Sequence, residues 1–106
     1  MNAATRELSL WIDNDQGMYE QARELARGAL QEDNDPEFVL ADRLEGSFEW
    51  ATDASAYVET FGSVELVDFL ASDTGVMVMG IYRCTWAGGV EWDVLAASLL
   101  DDIREG

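Results

Sequence analysis

The sequence predicts a small α+β domain, mainly helical and spanning residues 1–106, with a short N-terminal strand and a second strand over residues 76–86 to pair with it. Three observations carry this expectation. Leu8, Leu10 and Ile12 alternate with Ser9 and Trp11, which is the period of a half-buried strand. Three longer segments repeat their apolar residues at helical spacing. Between them lies an apolar run rich in Val, Ile, Tyr, Thr and Trp, the residue types that favour strands. One domain is what 106 residues allow, and a core at that length leaves modest surplus stability.

Taken in order, residues Leu8 to Asp13 form the expected first strand, and Asn14, Asp15 and Gly17 supply a turn. A helix follows from Met18 to Leu30, with Met18, Ala22, Leu25, Ala26 and Ala29 on one stripe. On its outer side, Glu20 can pair with Arg23 and Glu24 with Arg27. Pro36 suits a first helical position with Asp35 as its cap. From there Phe38, Ala41, Leu44, Phe48 and Ala51 repeat at helical spacing. Thr52 to Ser55 reads as a break, and Ala56 to Phe61 as a short helical piece. Ser63 can cap a helix carrying Val64, Val67, Phe69 and Leu70, which Asp73-Thr74-Gly75 ends. The run from Val76 to Trp86 is read as a strand because the first strand needs a partner, although a buried helix fits the same run. Gly88-Gly89 is a turn, and Trp92, Leu95, Ala96, Leu99 and Ile103 mark a final amphipathic helix.

Charge is the unusual feature. The chain has 22 Asp and Glu against six Arg, with no Lys and no His, for a net charge of −16. Such a chain repels itself when folded, more so at low salt. It is not a disordered acidic tail, because 48% of it is hydrophobic and it carries four Trp, four Phe and three Tyr. The excess is local: between Glu32 and Asp73 there are twelve acidic residues and one basic residue, Arg43. Asp42, Glu45, Glu49 and Asp53 fall at i, i+3, i+7 and i+11, so a continuous helix would align them in a row opposite its apolar stripe, with neighbours roughly 5–6 Å apart. Glu32, Asp33, Asp35 and Glu37 extend the row at its N-terminal end, where carboxylates suit the helix dipole. DNA presents a comparably dense line of negative charge. Trp50, set among Glu45, Glu49 and Asp53, is a candidate interface anchor, with a boundary-packed Trp as the alternative. These nine residues form the candidate partner-binding set. The opposing reading is a solvated acidic surface that serves solubility in a saline cytoplasm or reflects a GC-rich genome.

The same residues argue against catalysis. Without histidine, the usual general base near neutral pH is missing. Cys84 stands alone in an apolar run, so a buried structural thiol is expected and no intrachain disulfide can form. One Cys and no His cannot close a zinc site. Asp13-Asn14-Asp15-Gln16-Gly17 resembles the opening of an EF-hand loop, with Glu24 at the twelfth position. Met18 stands where that loop needs Gly, so a turn is the better reading. The expectation is therefore a binding protein with no cofactor and no metal. Trp86 and Trp92 are expected in the core. A stacking platform built on Trp11, Trp50, Trp86 and Trp92 would need a basic groove, which this chain does not offer.

No apolar stretch reaches the length of a membrane span, and MNAATRELSL lacks the basic and apolar regions of a signal peptide. An intracellular, cytoplasmic location is expected, without direct binding to nucleic acid or membrane. A homodimer is one way for a lone strand and exposed aromatics to find partners.

Two stretches carry a family resemblance. LSLWIDNDQGMYEQARELA resembles the opening of small acidic proteins encoded by phages of actinobacteria, and VEWDVLAASLLDDI is similar to their closing helix. WIDNDQ, DPEF and the Glu45-Gly46 step resemble segments of the antirestriction protein A family, acidic DNA mimics that block type I restriction enzymes. The resemblance implies a phage-encoded, DNA-mimic inhibitor of host defence, of antirestriction or anti-CRISPR type. Its partner would be a basic DNA-binding protein or nuclease complex. The alternative is a non-catalytic structural or regulatory interaction module that binds through apolar faces.

Overall fold

The computed structural model describes the chain except residues 33, 53, 63–64, 86–87 and 106, and the side chains of 54–56, 66 and 105. It is 83% helical, and no strand occurs among the described residues. The expected α+β class is therefore corrected to an all-helical domain.

Both expected strands are helices. The first lies within α1, Ala3–Asn14, whose buried residues are Ala4, Thr5, Leu8 and Ile12. Leu8 and Ile12 are one helical turn apart, and Leu10, which alternation would bury beside them, is 50% exposed. Asn2 starts the helix: its Oδ1 accepts the Thr5 backbone N–H at 2.9 Å. The second expected strand lies mostly within α6, Asp73–Arg83, which buries Gly75, Met77, Val78 and Ile81. Asp73-Thr74-Gly75 begins this helix where the sequence suggested an end. Ser72 is the reason: its Oγ accepts the Gly75 N–H at 3.0 Å and donates to the Phe69 carbonyl at 2.7 Å. Capping and burial on an existing core thus override the strand propensity of the Val and Ile side chains.

Most of the other helices follow the sequence closely, but the one expected to start at Ser63 begins after Glu65, and Ser63 and Val64 lie outside the described residues. Asp15 separates α1 from α2, Gln16–Leu30, and caps it by accepting the Met18 N–H at 2.9 Å. This helix buries Met18, Ala22, Ala26 and Ala29, and the small alanines let neighbouring backbones approach. Its expected Glu20–Arg23 pair is replaced, because Arg23 donates to the Tyr19 hydroxyl at 2.8 Å and lies over that ring. Helix α3, Pro36–Phe48, buries Leu40, Leu44 and Phe48 and continues into a 3-10 turn, Glu49–Ala51. Phe38, placed on that stripe by the spacing, is instead 72% exposed. The short helices α4, Ala54–Phe61, and α5, Leu66–Ala71, precede α6. Gly62, at φ +90°, turns the chain after α4 while its N–H closes on the Val58 carbonyl. Helix α7, Trp92–Glu105, buries Leu95, Ala96, Leu99 and Leu100.

Helix α3 packs along α2 and α7, and α1 lies against α2, α6 and α7. Their buried side chains make one cluster around Leu8, Ile12, Leu44, Phe48, Ile81 and Leu95. At one corner a polar clasp ties α1 to the start of α7. The Thr5 hydroxyl, fully buried, donates to Asn2 Oδ1 at 2.6 Å and accepts the Glu91 N–H at 2.7 Å. Asn2 also donates its backbone N–H to the Glu91 carboxylate and its side-chain amide to the Gly89 carbonyl. Helices α4 and α5 supply none of the described members of the main cluster. They dock through aromatic rings and leave Val58, Phe61, Val67 and Leu70 exposed. Trp92 is half-buried against the core as expected, whereas Trp86 lies outside the described residues. Cys84 is half-buried at the C-terminal cap of α6, a more open position than the sequence suggested. Among the described residues no helix is long and apolar enough to cross a membrane.

Candidate functional site

Helix α3 is built to show one face to solvent. Leu40, Leu44 and Phe48 recur at every fourth residue and fix its inner side against α2 and α7. The residues opposite are then committed outwards. Asp42, Glu45 and Glu49 are all exposed. Helical geometry places Asp42 and Glu45 with Phe38 within an arc of roughly 60°, and Glu49 follows in the 3-10 turn that ends the helix. The outer face is thus a ridge with an exposed aromatic ring at one end and three carboxylates beyond it.

The candidate acidic residues divide by what else they do. Glu32 is paired with Arg43, the one basic residue of the acidic window. Asp35 is occupied in capping α3, accepting the Glu37 N–H at 3.1 Å. Glu37 is exposed in the first turn of α3 but lies around the helix from the Asp42 row. Asp33 and Asp53 lie outside the described residues. The uncommitted row is therefore Asp42, Glu45 and Glu49. Arg43 adds little to its field, because its guanidinium is matched by Glu32 and lies alongside Gly28 of α2.

Trp50 is half-buried, with its indole N–H donated to the Ser47 carbonyl at 2.8 Å. Its ring meets Phe61 at 5.3 Å between centroids and an interplanar angle of 87°. Tyr57 packs against Phe61 and Phe69, each at 5.0 Å. Trp50 is therefore a boundary-packed ring, the alternative reading of it, and the exposed ring on the acidic ridge is Phe38. Spacing alone contains the signal for Phe38: it stands four residues before Asp42, whereas Leu40 stands four before Leu44.

Two grooves flank Glu49. One, between α3 and α4, is lined by Trp50, Phe61, Glu49 and Glu59. The other runs past Glu45 and Glu49 to Tyr82 and Trp92. Phe61 and Glu59 were not singled out from the sequence, although Tyr57 and Phe61 sit one helical turn apart and mark an aromatic edge.

One carboxylate elsewhere is perturbed. Partial desolvation, and then the nearby charge of Asp102, raise the carboxyl of the exposed Asp13 above its ordinary value. Among the described residues no group of three or more His, Cys, Asp or Glu is placed to hold a metal ion. No protein-family model, no curated protein and no solved structure matches the chain.

Proposed function

We propose that the protein is a non-catalytic inhibitor that presents the outer face of α3 to the basic nucleic-acid site of a host-defence protein, imitating the charge of DNA. The observation that carries this reading is the uncompensated ridge. Asp42 and Glu45 on α3 and Glu49 in the turn that ends it are all exposed, and the arginine next to Asp42 is already matched by Glu32. A surface selected for solubility alone would intersperse cations with these carboxylates. The ridge is instead a line of like charge, which costs helix stability a few tenths of a kcal/mol per neighbouring pair. Phe38 adds an apolar contact that fixes the register of a partner on the ridge.

The immobilised protein, exposed to a bacterial lysate, is expected to retain a DNA-binding or nuclease complex that salt releases. Neutralising Asp42, Glu45 and Glu49 together should weaken retention about tenfold, from three exposed pairs contributing roughly 0.5 kcal/mol each. Neutralising Asp101 and Asp102 on α7 should not. Equal effects from the two variants would sink the localised-ridge reading.

A second reading has its own observation. Val58, Phe61, Val67 and Leu70 are exposed on α4 and α5, which favours an interaction module that binds through apolar contact. Capture insensitive to salt and abolished by Val67→Asp would favour it.

A further inference from the structure

We propose that the groove between α3 and α4 is a receptor for one arginine side chain of a protein partner. The proposal deepens the reading above, on which the partner is basic, by naming the group that this groove takes.

The groove's lining includes two aromatic rings in edge-to-face contact, Trp50 and Phe61, whose centroids are 5.3 Å apart. Trp50 is held in place by its hydrogen bond to Ser47 and by ring contacts with Phe61 and Tyr57, so its polar edge is already satisfied. Phe61 lines the groove and is 57% exposed although Tyr57 and Trp50 pack against it, so it is the ring with free surface for a ligand. Glu49 and Glu59, both exposed, also line the groove, and none of the described residues lining it is basic.

An exposed aromatic ring with two exposed carboxylates in the same groove matches a flat cation. Guanidinium is weakly hydrated, stacks on rings, and keeps its N–H donors in the plane of the stack, where they can reach carboxylates. An ammonium holds its water more tightly and presents no flat face. A second copy of this chain is a poor occupant, because each copy carries a net charge of −16.

The probe is an acetyl-Gly-Arg-Gly-amide peptide, titrated at constant ionic strength against the labelled protein. The readout is the Trp50 indole N–H resonance, assigned with Trp50→Phe. Lysine and citrulline peptides serve as comparisons. The expected result is a saturable shift with the arginine peptide, about two- to fivefold weaker binding with lysine, and no saturable shift with neutral citrulline. Glu59→Gln and Phe61→Ala should each weaken arginine binding by a similar factor. Gly46→Leu is the steric control. Gly46 lines the groove, and a Cβ there meets nothing within 4 Å, so the variant should fold with improved helix propensity and still block binding. Equal shifts from arginine and citrulline, or arginine binding unchanged in Gly46→Leu, would overturn the proposal. The titration contains no target protein, so its failure leaves the α3 ridge standing. Salt-insensitive capture would remove the ridge reading without touching the titration.

Discussion

At the scale of single residues, three positions have consequences that stability measurements can read. A Cβ on Gly75 would lie 1.6 Å from the Phe69 carbonyl oxygen, a backbone atom that cannot swing aside. Gly75→Ala should therefore pry α5 from α6 and cost about 1–3 kcal/mol in denaturant unfolding. Thr5→Val removes the acceptor of the Glu91 N–H within a part-buried clasp, and an orphaned donor costs about 1–3 kcal/mol. The Thr5→Ser variant keeps the hydroxyl and should recover most of that loss. Asp13 works in the opposite direction. Its raised folded-state pKa means that ionisation costs stability as pH climbs above the ordinary value of 3.8, and the cost disappears as pH falls through the folded value. Asp13→Asn should raise Tm at neutral pH, with the difference from wild type vanishing below pH 3.8. A difference that persists in acid would assign the effect to packing.

At the scale of elements, the sequence was most readable where caps and periodicity agree. Asp35-Pro36 and the Leu40, Leu44, Phe48 repeat mark α3, and the Met18, Ala22, Ala26 stripe marks α2, as the structure has them. The reading failed for α1 and α6, where residue type and alternation pointed one way and capping the other. Leu8, Leu10 and Ile12 fit a period of two as well as Leu8 and Ile12 fit a helix. The Asn2 cap, six residues upstream of Leu8, is the feature that distinguishes them. In α6 the Val-rich run hid the start signal at Ser72, because Thr74 and Gly75 look like a terminator until the serine is paired with the Gly75 N–H. Of the acidic row, Asp42, Glu45 and Glu49 were legible because α3 was, whereas Glu32 is drawn off by an ion pair, Asp35 by a cap and Glu37 by its place around the helix. Its aromatic member was not, because two overlapping stripes, one through Phe38 and one through Leu40, compete for the buried side. The ridge gives an element-level expectation. Phe38, 72% exposed, should tolerate Phe38→Ala with Tm almost unchanged while capture of the basic partner weakens. A large loss of Tm would place Phe38 in the fold instead of the interface.

At the scale of the whole molecule, charge sets the balance. Twelve acidic residues against Arg43 give the window from Glu32 to Asp73 a net −11 of the chain's −16, so self-repulsion and the proposed attraction of a basic partner share one source. Added monovalent salt should raise Tm by screening the first and weaken capture by screening the second. The elongated body, 44 × 26 × 22 Å, suits a ligand that lies along a channel. The most direct test is competition: the captured complex is challenged with duplex DNA at fixed ionic strength, and release is measured against DNA concentration. Release that saturates with DNA, and that neutral dextran of similar size does not produce, is the result expected of a surface standing in for the phosphate backbone. A complex that holds its DNA and this protein together would contradict it, and would move the binding surface from the carboxylates of α3 to the apolar side chains of α4 and α5.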